Sequence, residues 1–118
     1  MLFRSKAFFP SVQPLTNEEL LKQRPFDLII NATASGLSNA SPVSANTLKA
    51  IVSPQTLVYD MVYGRQTPFM TDAISLGLHA FDGLGMLVEQ AAQSYRIWRG
   101  MNCHLDTEQT LELIRNTI

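Results

Sequence analysis

Apolar positions along the chain come in short blocks whose period switches between that of a strand and that of a helix. "FDLIIN" at 26–31 is a compact apolar run favoured in a buried strand. "TLVYDMVY" is β-branched and aromatic and predicts a second strand over about 57–63, and "LHAFD" predicts a third. Helix-length segments lie before, between and after them. In "LTNEELLKQ", Thr16 and Glu19 have capping-box spacing and Leu15 and Leu20 form a hydrophobic staple, so a helix over about 17–24 is expected, ended by Pro25. "SANTLKAIV" is a weaker helix with Ser44 as its cap. "TPFMTDAISLG" has Thr67 as cap, Pro68 at the first helical position and Gly77 past the last turn. From 84 to 98, Leu84, Leu87, Val88, Ala91, Tyr95 and Trp98 repeat at the spacing of one helical face. "DTEQTLELIRNTI" places Asp106 and Gln109 as a capping box and Leu111, Ile114 and Ile118 on one side, a closing helix.

Helices alternating with strands imply parallel strands joined by right-handed crossovers, because each connection holds a helix where an antiparallel pairing would need a hairpin turn. The expected class is α/β. Residues 35–46, "SGLSNASPVSAN", read as a loop within one domain, and 118 residues suffice for a single modest core.

Charge narrows the partners. With 16% charged residues, a net charge of −1 and scattered basic residues, the chain lacks the electrostatic footprint of a nucleic-acid or membrane-surface binder. The single cysteine, Cys103, has no internal disulfide partner and no zinc-ligand spacing around it. No run approaches the roughly 20 apolar residues that span a bilayer. A soluble, cytoplasmic chain without a bound metal is expected.

In open parallel sheets, ligands bind beyond the carboxyl ends of the strands. Those ends read "NATASG", "DMVYG" and "DGLGM". The first offers small side chains, Gly36 for close approach to a flat ligand, and hydrogen-bonding groups on Asn31, Thr33 and Ser35; an ordinary loop exit has the same composition. In the second, alternation sets Met61 and Tyr63 in one direction, toward a ligand or under a helix, and Asp60 in the other, as a structural acceptor for loop N–H groups. In the third, Gly83, Met86 and Gln90 share one side of a helix at about 100° per residue, a cleft wall or a solvent edge. His79 and His104 have no partner at motif spacing, and Glu89, Arg96 and Arg99 read as a solvated face.

The segments "FDLIINATASG", "YDMVYGRQTPF" and "DGLGMLVEQAAQSYRIWRG", in this order, resemble shikimate dehydrogenase, over about residues 25–100. The resemblance implies part of a Rossmann-like, doubly wound parallel sheet of about three strands. Residues 1–100 would be the carboxyl-terminal half of its NADP-binding domain and 101–118 a helical tail. It implies the NADPH-dependent reversible reduction of 3-dehydroshikimate to shikimate in aromatic amino-acid (chorismate) biosynthesis. Met61 and Gly83 would border the nicotinamide, with Met86 packing near the cofactor and Ala32, Thr33 and Ala34 running along its ribose. Tyr63 and Gln90 would hydrogen-bond the substrate.

The sequence departs from the family in lacking the substrate domain with its catalytic lysine and aspartate, and the glycine-rich pyrophosphate turn. "MLFRSKA" keeps only Lys6 and Ala7 of the family's motif for the adenosine 2′-phosphate, and an exposed helical lysine is the plainer reading of Lys6. No residue is assigned a catalytic role, and the isolated chain is expected to be inactive. In the family's strand order "FDLIIN" would be an apolar edge strand, a template for self-association. The alternatives are a non-catalytic interaction protein built on the same half-fold, or a fragment of a quinate/shikimate dehydrogenase using NAD.

Overall fold

The computed structural model describes residues 11–100 and 104–117, so the expectations for Lys6, Ala7, Cys103 and Ile118 lie outside the described residues. The elements run α1 (Asn17–Leu20), β1 (Leu28–Asn31), a 3-10 turn (Ser35–Ser38), α2 (Ala45–Ile51), β2 (Leu57–Asp60), α3 (Pro68–Ser75), β3 (His79–Phe81), α4 (Leu84–Arg99) and α5 (Thr107–Arg115). The strands form one parallel sheet in the order β1-β2-β3, the open α/β sheet expected, with β1 as an edge.

Register explains the core. Ile29, Val58 and Ala80 are aligned across the three strands on one face. Leu48 of α2 and Phe69 and Ala73 of α3 pack there with Val58 and Leu78. Both crossover helices therefore cover the same face. The caps read from sequence are in place: Ser44 Oγ accepts from Thr47 N–H at 3.1 Å and Thr67 Oγ1 from Met70 N–H at 3.3 Å. At the other end of α3, Gly77 N–H donates to Ile74 and Leu78 N–H to Ala73, a paired closure that also sets Leu78 beside Ala73 in the core.

Four expectations need correction. The first helix is one turn, Asn17–Leu20, where 17–24 was expected. Its capping box is complete, but it buries no residue, and a short helix without a buried face does not propagate. β2 stops at Asp60, because β3 ends at Phe81 opposite Tyr59 and the Asp60 carboxylate takes the Val62 N–H at 3.0 Å. Met61 and Tyr63 thus lie beyond the strand, although the inward-outward alternation continues through Val62. "FDLIIN" is not a strand buried on both faces, since Leu28 and Ile30 are about half exposed. On α4 the buried stripe is Leu84, Val88 and Ala92, the last two beside α5, while Tyr95 and Trp98 are exposed.

Candidate functional site at the carboxyl ends of the strands

A buried polar chain joins the exits of β1 and β2 to the start of α3. Asp60 is fully buried; its Oδ2 accepts from Thr67 Oγ1 at 2.6 Å and from Asn31 Nδ2 at 3.2 Å. Asn31 Oδ1 accepts in turn from Thr33 N–H at 3.0 Å and Thr33 Oγ1 at 2.7 Å, and Thr33 Oγ1 lies 2.7 Å from Ser35 Oγ. Each buried side-chain N and O atom of this network has a partner, the condition under which such networks fix one geometry. Asp60 is therefore the structural acceptor read from its strand position.

The loop after β1 closes tightly on this hub. A Cβ at Gly36 would stand 2.7 Å from Thr67 Cγ2 and 3.2 Å from Val62 Cγ2. Gly36 is buried, so its close approach is to Thr67 and Val62; the expected approach to a flat ligand is not what its lack of a side chain serves.

The junction of β3 and α4 shows the same logic. Gly83 has an ordinary φ of −77°, and its N–H donates to Val62 O at 3.2 Å. A Cβ there would collide with the Met61 carbonyl oxygen and lie 2.7 Å from the Met61 carbonyl carbon. The glycine is required by the β2 exit loop, not directly by space for a ligand. Asp82 Oδ1 accepts from Leu84 N–H at 3.3 Å, closing the first turn of α4, and pairs with Arg115 of α5 at 3.1 Å.

Around this frame the residues singled out from sequence separate into two sets. Ala32, Thr33 and Ala34 lie exposed on the β1 exit, held through Thr33. Met61 N–H donates to Asn31 O at 3.0 Å, so the β1 and β2 exits are adjacent, and Gly83 abuts Met61. The side chains of Met61 and Tyr63 are exposed, as is Met86 in the first turn of α4. Gln90 lies one turn further on, in a groove of about 320 Å³ with Leu87, Ala91, Ser94 and Trp98. Neither Tyr63 nor Met61 lines that groove. The Asn31–Asp60–Thr67 hub is the feature that sequence reasoning missed as a unit. Each member was visible separately, as a polar residue at the end or start of an apolar element.

Comparison with known proteins agrees with this arrangement. The family model for the shikimate 5'-dehydrogenase C-terminal domain matches residues 83–104. A shikimate dehydrogenase (NADP(+)) of Shewanella woodyi is 42% identical over 112 residues, covering 93% of this chain and 38% of that protein. The Alkalilimnicola ehrlichii shikimate dehydrogenase (NADP(+)) is 52% identical over 81 residues, 67% of this chain and 29% of that one. Among solved structures, a chorismate mutase/shikimate 5-dehydrogenase fusion protein from Clostridium acetobutylicum superposes with a TM-score of 0.71 at 31% identity, over 86% of this chain and 38% of the other. Shikimate dehydrogenase 1 from Peptoclostridium difficile gives a TM-score of 0.68 at 32% identity, over 87% and 38%. The chain thus spans less than two fifths of the length of these relatives. The chain's sequence and its three-stranded parallel sheet thus match the carboxyl-terminal part of shikimate dehydrogenases.

Proposed function

We propose that this chain forms the nicotinamide-side wall of an NADP-dependent dehydrogenase that interconverts shikimate and 3-dehydroshikimate in the cytoplasm. Residues 1–100 serve as the carboxyl-terminal half of the cofactor domain and 101–118 as its tail. Met61 and Gly83 border the nicotinamide, Met86 packs beside the cofactor, and Ala32, Thr33 and Ala34 follow its ribose. Tyr63 and Gln90 hydrogen-bond the substrate.

The observation that carries this reading is the contact of Gly83 with the Met61 backbone. It holds the exits of β2 and β3 together as one surface, from which the Met61 and Tyr63 side chains project. NADP and shikimate are drawn from the names of the relatives.

The 118 residues by themselves carry out no turnover. Proton transfer to the reacting oxygen needs a positioned acid or base, worth roughly 10² to 10⁴-fold. Asp60 is sealed in the hub and Asp82 is paired with Arg115. The lysine and aspartate of the family are not in this sequence.

The test is a titration of the isotope-labelled chain with nicotinamide mononucleotide, followed by amide NMR, beside an absorbance assay at ~340 nm with shikimate and NADP. Shifts confined to Thr33, Met61, Gly83 and Met86, with a flat absorbance trace, are expected. A folded chain whose amides at these positions stay unmoved, or clear turnover, overturns the proposal.

A further inference from the structure

The hydrogen bonds running outward from Asn31 have a fixed direction. Thr33 N–H can only donate, and it lies 3.0 Å from one side-chain atom of Asn31. That atom is therefore Oδ1, and the amide NH2 of Asn31 points at Asp60 Oδ2. Oδ1 carries no proton, so the Thr33 hydroxyl 2.7 Å from it is the donor in that contact. With its one proton used there, Thr33 Oγ1 can only accept from its next neighbour. The Ser35 hydroxyl, 2.7 Å away, must then donate to Thr33. Ser35 N–H donates to the same oxygen at 3.3 Å.

The two hydroxyls are left with opposite capacities. Thr33 Oγ1 gives its proton to Asn31 and takes two donors from Ser35, so nothing remains for a ligand. Ser35 turns its proton inward, and its oxygen keeps two lone pairs that no donor among the described residues fills. Its backbone is held too. Ser35 O accepts from Ala40 N–H at 3.0 Å and from Ser38 Oγ at 2.9 Å, and the next residue, Gly36, is packed against Thr67 and Val62. A hydroxyl oxygen fixed in this way suits a neutral donor and offers no proton to a phosphate oxygen.

We propose that Ser35 accepts a hydrogen bond from a ribose hydroxyl of the bound nicotinamide nucleotide, and that Thr33 is a positioning residue that aims it. The inference rests on the reading of the β1 exit as the ribose side of the cofactor site and narrows it: Thr33 follows the sugar without hydrogen-bonding it. The vicinal hydroxyls of a ribose are neutral donors at the spacing of adjacent carbons, which matches an acceptor held at one point of the loop. Because the orientation of Ser35 is set before the ligand arrives, little ordering cost is left to binding.

Titration of the isotope-labelled 118-residue chain with nicotinamide mononucleotide, followed by amide NMR, tests the inference. Ser35→Ala should weaken binding about fivefold, the worth of one neutral hydrogen bond, and Ser35→Thr, which keeps the hydroxyl, should bind within about twofold of wild type. Of the 2′-fluoro and 3′-fluoro analogues of the mononucleotide, one should bind the wild-type chain about fivefold more weakly, because fluorine has nearly the size of a hydroxyl and cannot donate. Thr33→Val should narrow that preference for hydroxyl over fluorine, since it frees the Ser35 proton to turn outward. Ser35→Ala binding as tightly as wild type, or wild type binding both fluoro analogues as tightly as the mononucleotide, overturns the inference and leaves the proposed function standing. A folded wild-type chain that shows no shift with the mononucleotide overturns both. The fluoro comparison needs only the wild-type chain, so it decides even where a variant fails to fold.

Discussion

The Thr67 hydroxyl donates to Asp60 Oδ2 at 2.6 Å inside the protein, while the same oxygen caps α3 by accepting from Met70 N–H. One side chain thus begins a helix and anchors a strand end. Because Asp60 also holds Asn31 and the Val62 N–H, Asp60→Ala would leave three buried donors without an acceptor. Each orphan costs about 1–3 kcal/mol, so a loss of about 4 kcal/mol or more in urea unfolding is expected. Thr67→Val, which keeps the shape, should cost about 2 kcal/mol, the sum of a lost cap and one lost donor to a carboxylate. The double variant should lose less than the two single losses added together, since both remove the same bond.

Two glycines two positions apart differ in what surrounds them. At Gly83 an added Cβ collides with the Met61 carbonyl; at Gly85 it meets nothing within 4 Å. Gly83→Ala should therefore destabilise by about 1–3 kcal/mol or more, with the largest amide shifts at Met61 and Val62. Gly85→Ala should stabilise by about 0.5–1 kcal/mol, because it lowers the cost of ordering a helical position. Thermal unfolding of the two variants side by side checks the opposite signs.

These contrasts show what local sequence can and cannot carry. Element order was legible because capping residues and periodicity are written within a few residues of each helix: Thr16 with Glu19, Ser44, and Thr67 before Pro68. The true end of β2 was not, because it depends on a side chain of the strand folding back on its own loop and on where β3 stops. The burial of Leu28 and Ile30 was misread for a related reason. A run of apolar residues looks the same whether one face or both are covered, and the second face is decided by other elements. Trp98 fits the helical period of α4 yet is exposed, because the groove between α4 and α5 runs from Leu87 to Tyr95 and stops short of it. At the candidate site, the wall residues were named from motifs, but the reason for Gly83 and Gly36 lay in backbone and side-chain contacts remote in sequence.

The Glu19 carboxylate accepts from the Thr16 N–H at 2.8 Å, and from its hydroxyl at 2.9 Å. The backbone bond, then the side-chain bond, hold its pKa below the ordinary value of 4.5. A folded-state pKa below the unfolded one gives a contribution that is fully present above the unfolded value and is lost as pH falls through the folded one. The capping box should thus be intact at neutral pH and open only in acid below the usual carboxylate range. An NMR titration of the Glu19 side chain should follow that course together with the Thr16 amide shift. Glu19→Gln should remove the pH response. Because α1 buries nothing, the global unfolding midpoint should move little.

Arg115 pairs with Asp82 at 3.1 Å, with its own side chain 54% exposed and that of Asp82 15% exposed. The pair joins the end of α5 to the junction where α4 begins, through the same Asp82 oxygen that accepts from Leu84 N–H. An ion pair whose cation is half in water is screened and contributes about 0–1 kcal/mol. Arg115→Ala should therefore cost less than about 1 kcal/mol at low salt, and the difference from wild type should shrink further at ~1 M sodium chloride. Asp82→Ala should cost more than Arg115→Ala and keep part of its cost in high salt, because it also removes the acceptor for the first turn of α4. Chemical unfolding of both variants at two salt concentrations separates the screened ion pair from the unscreened helix start.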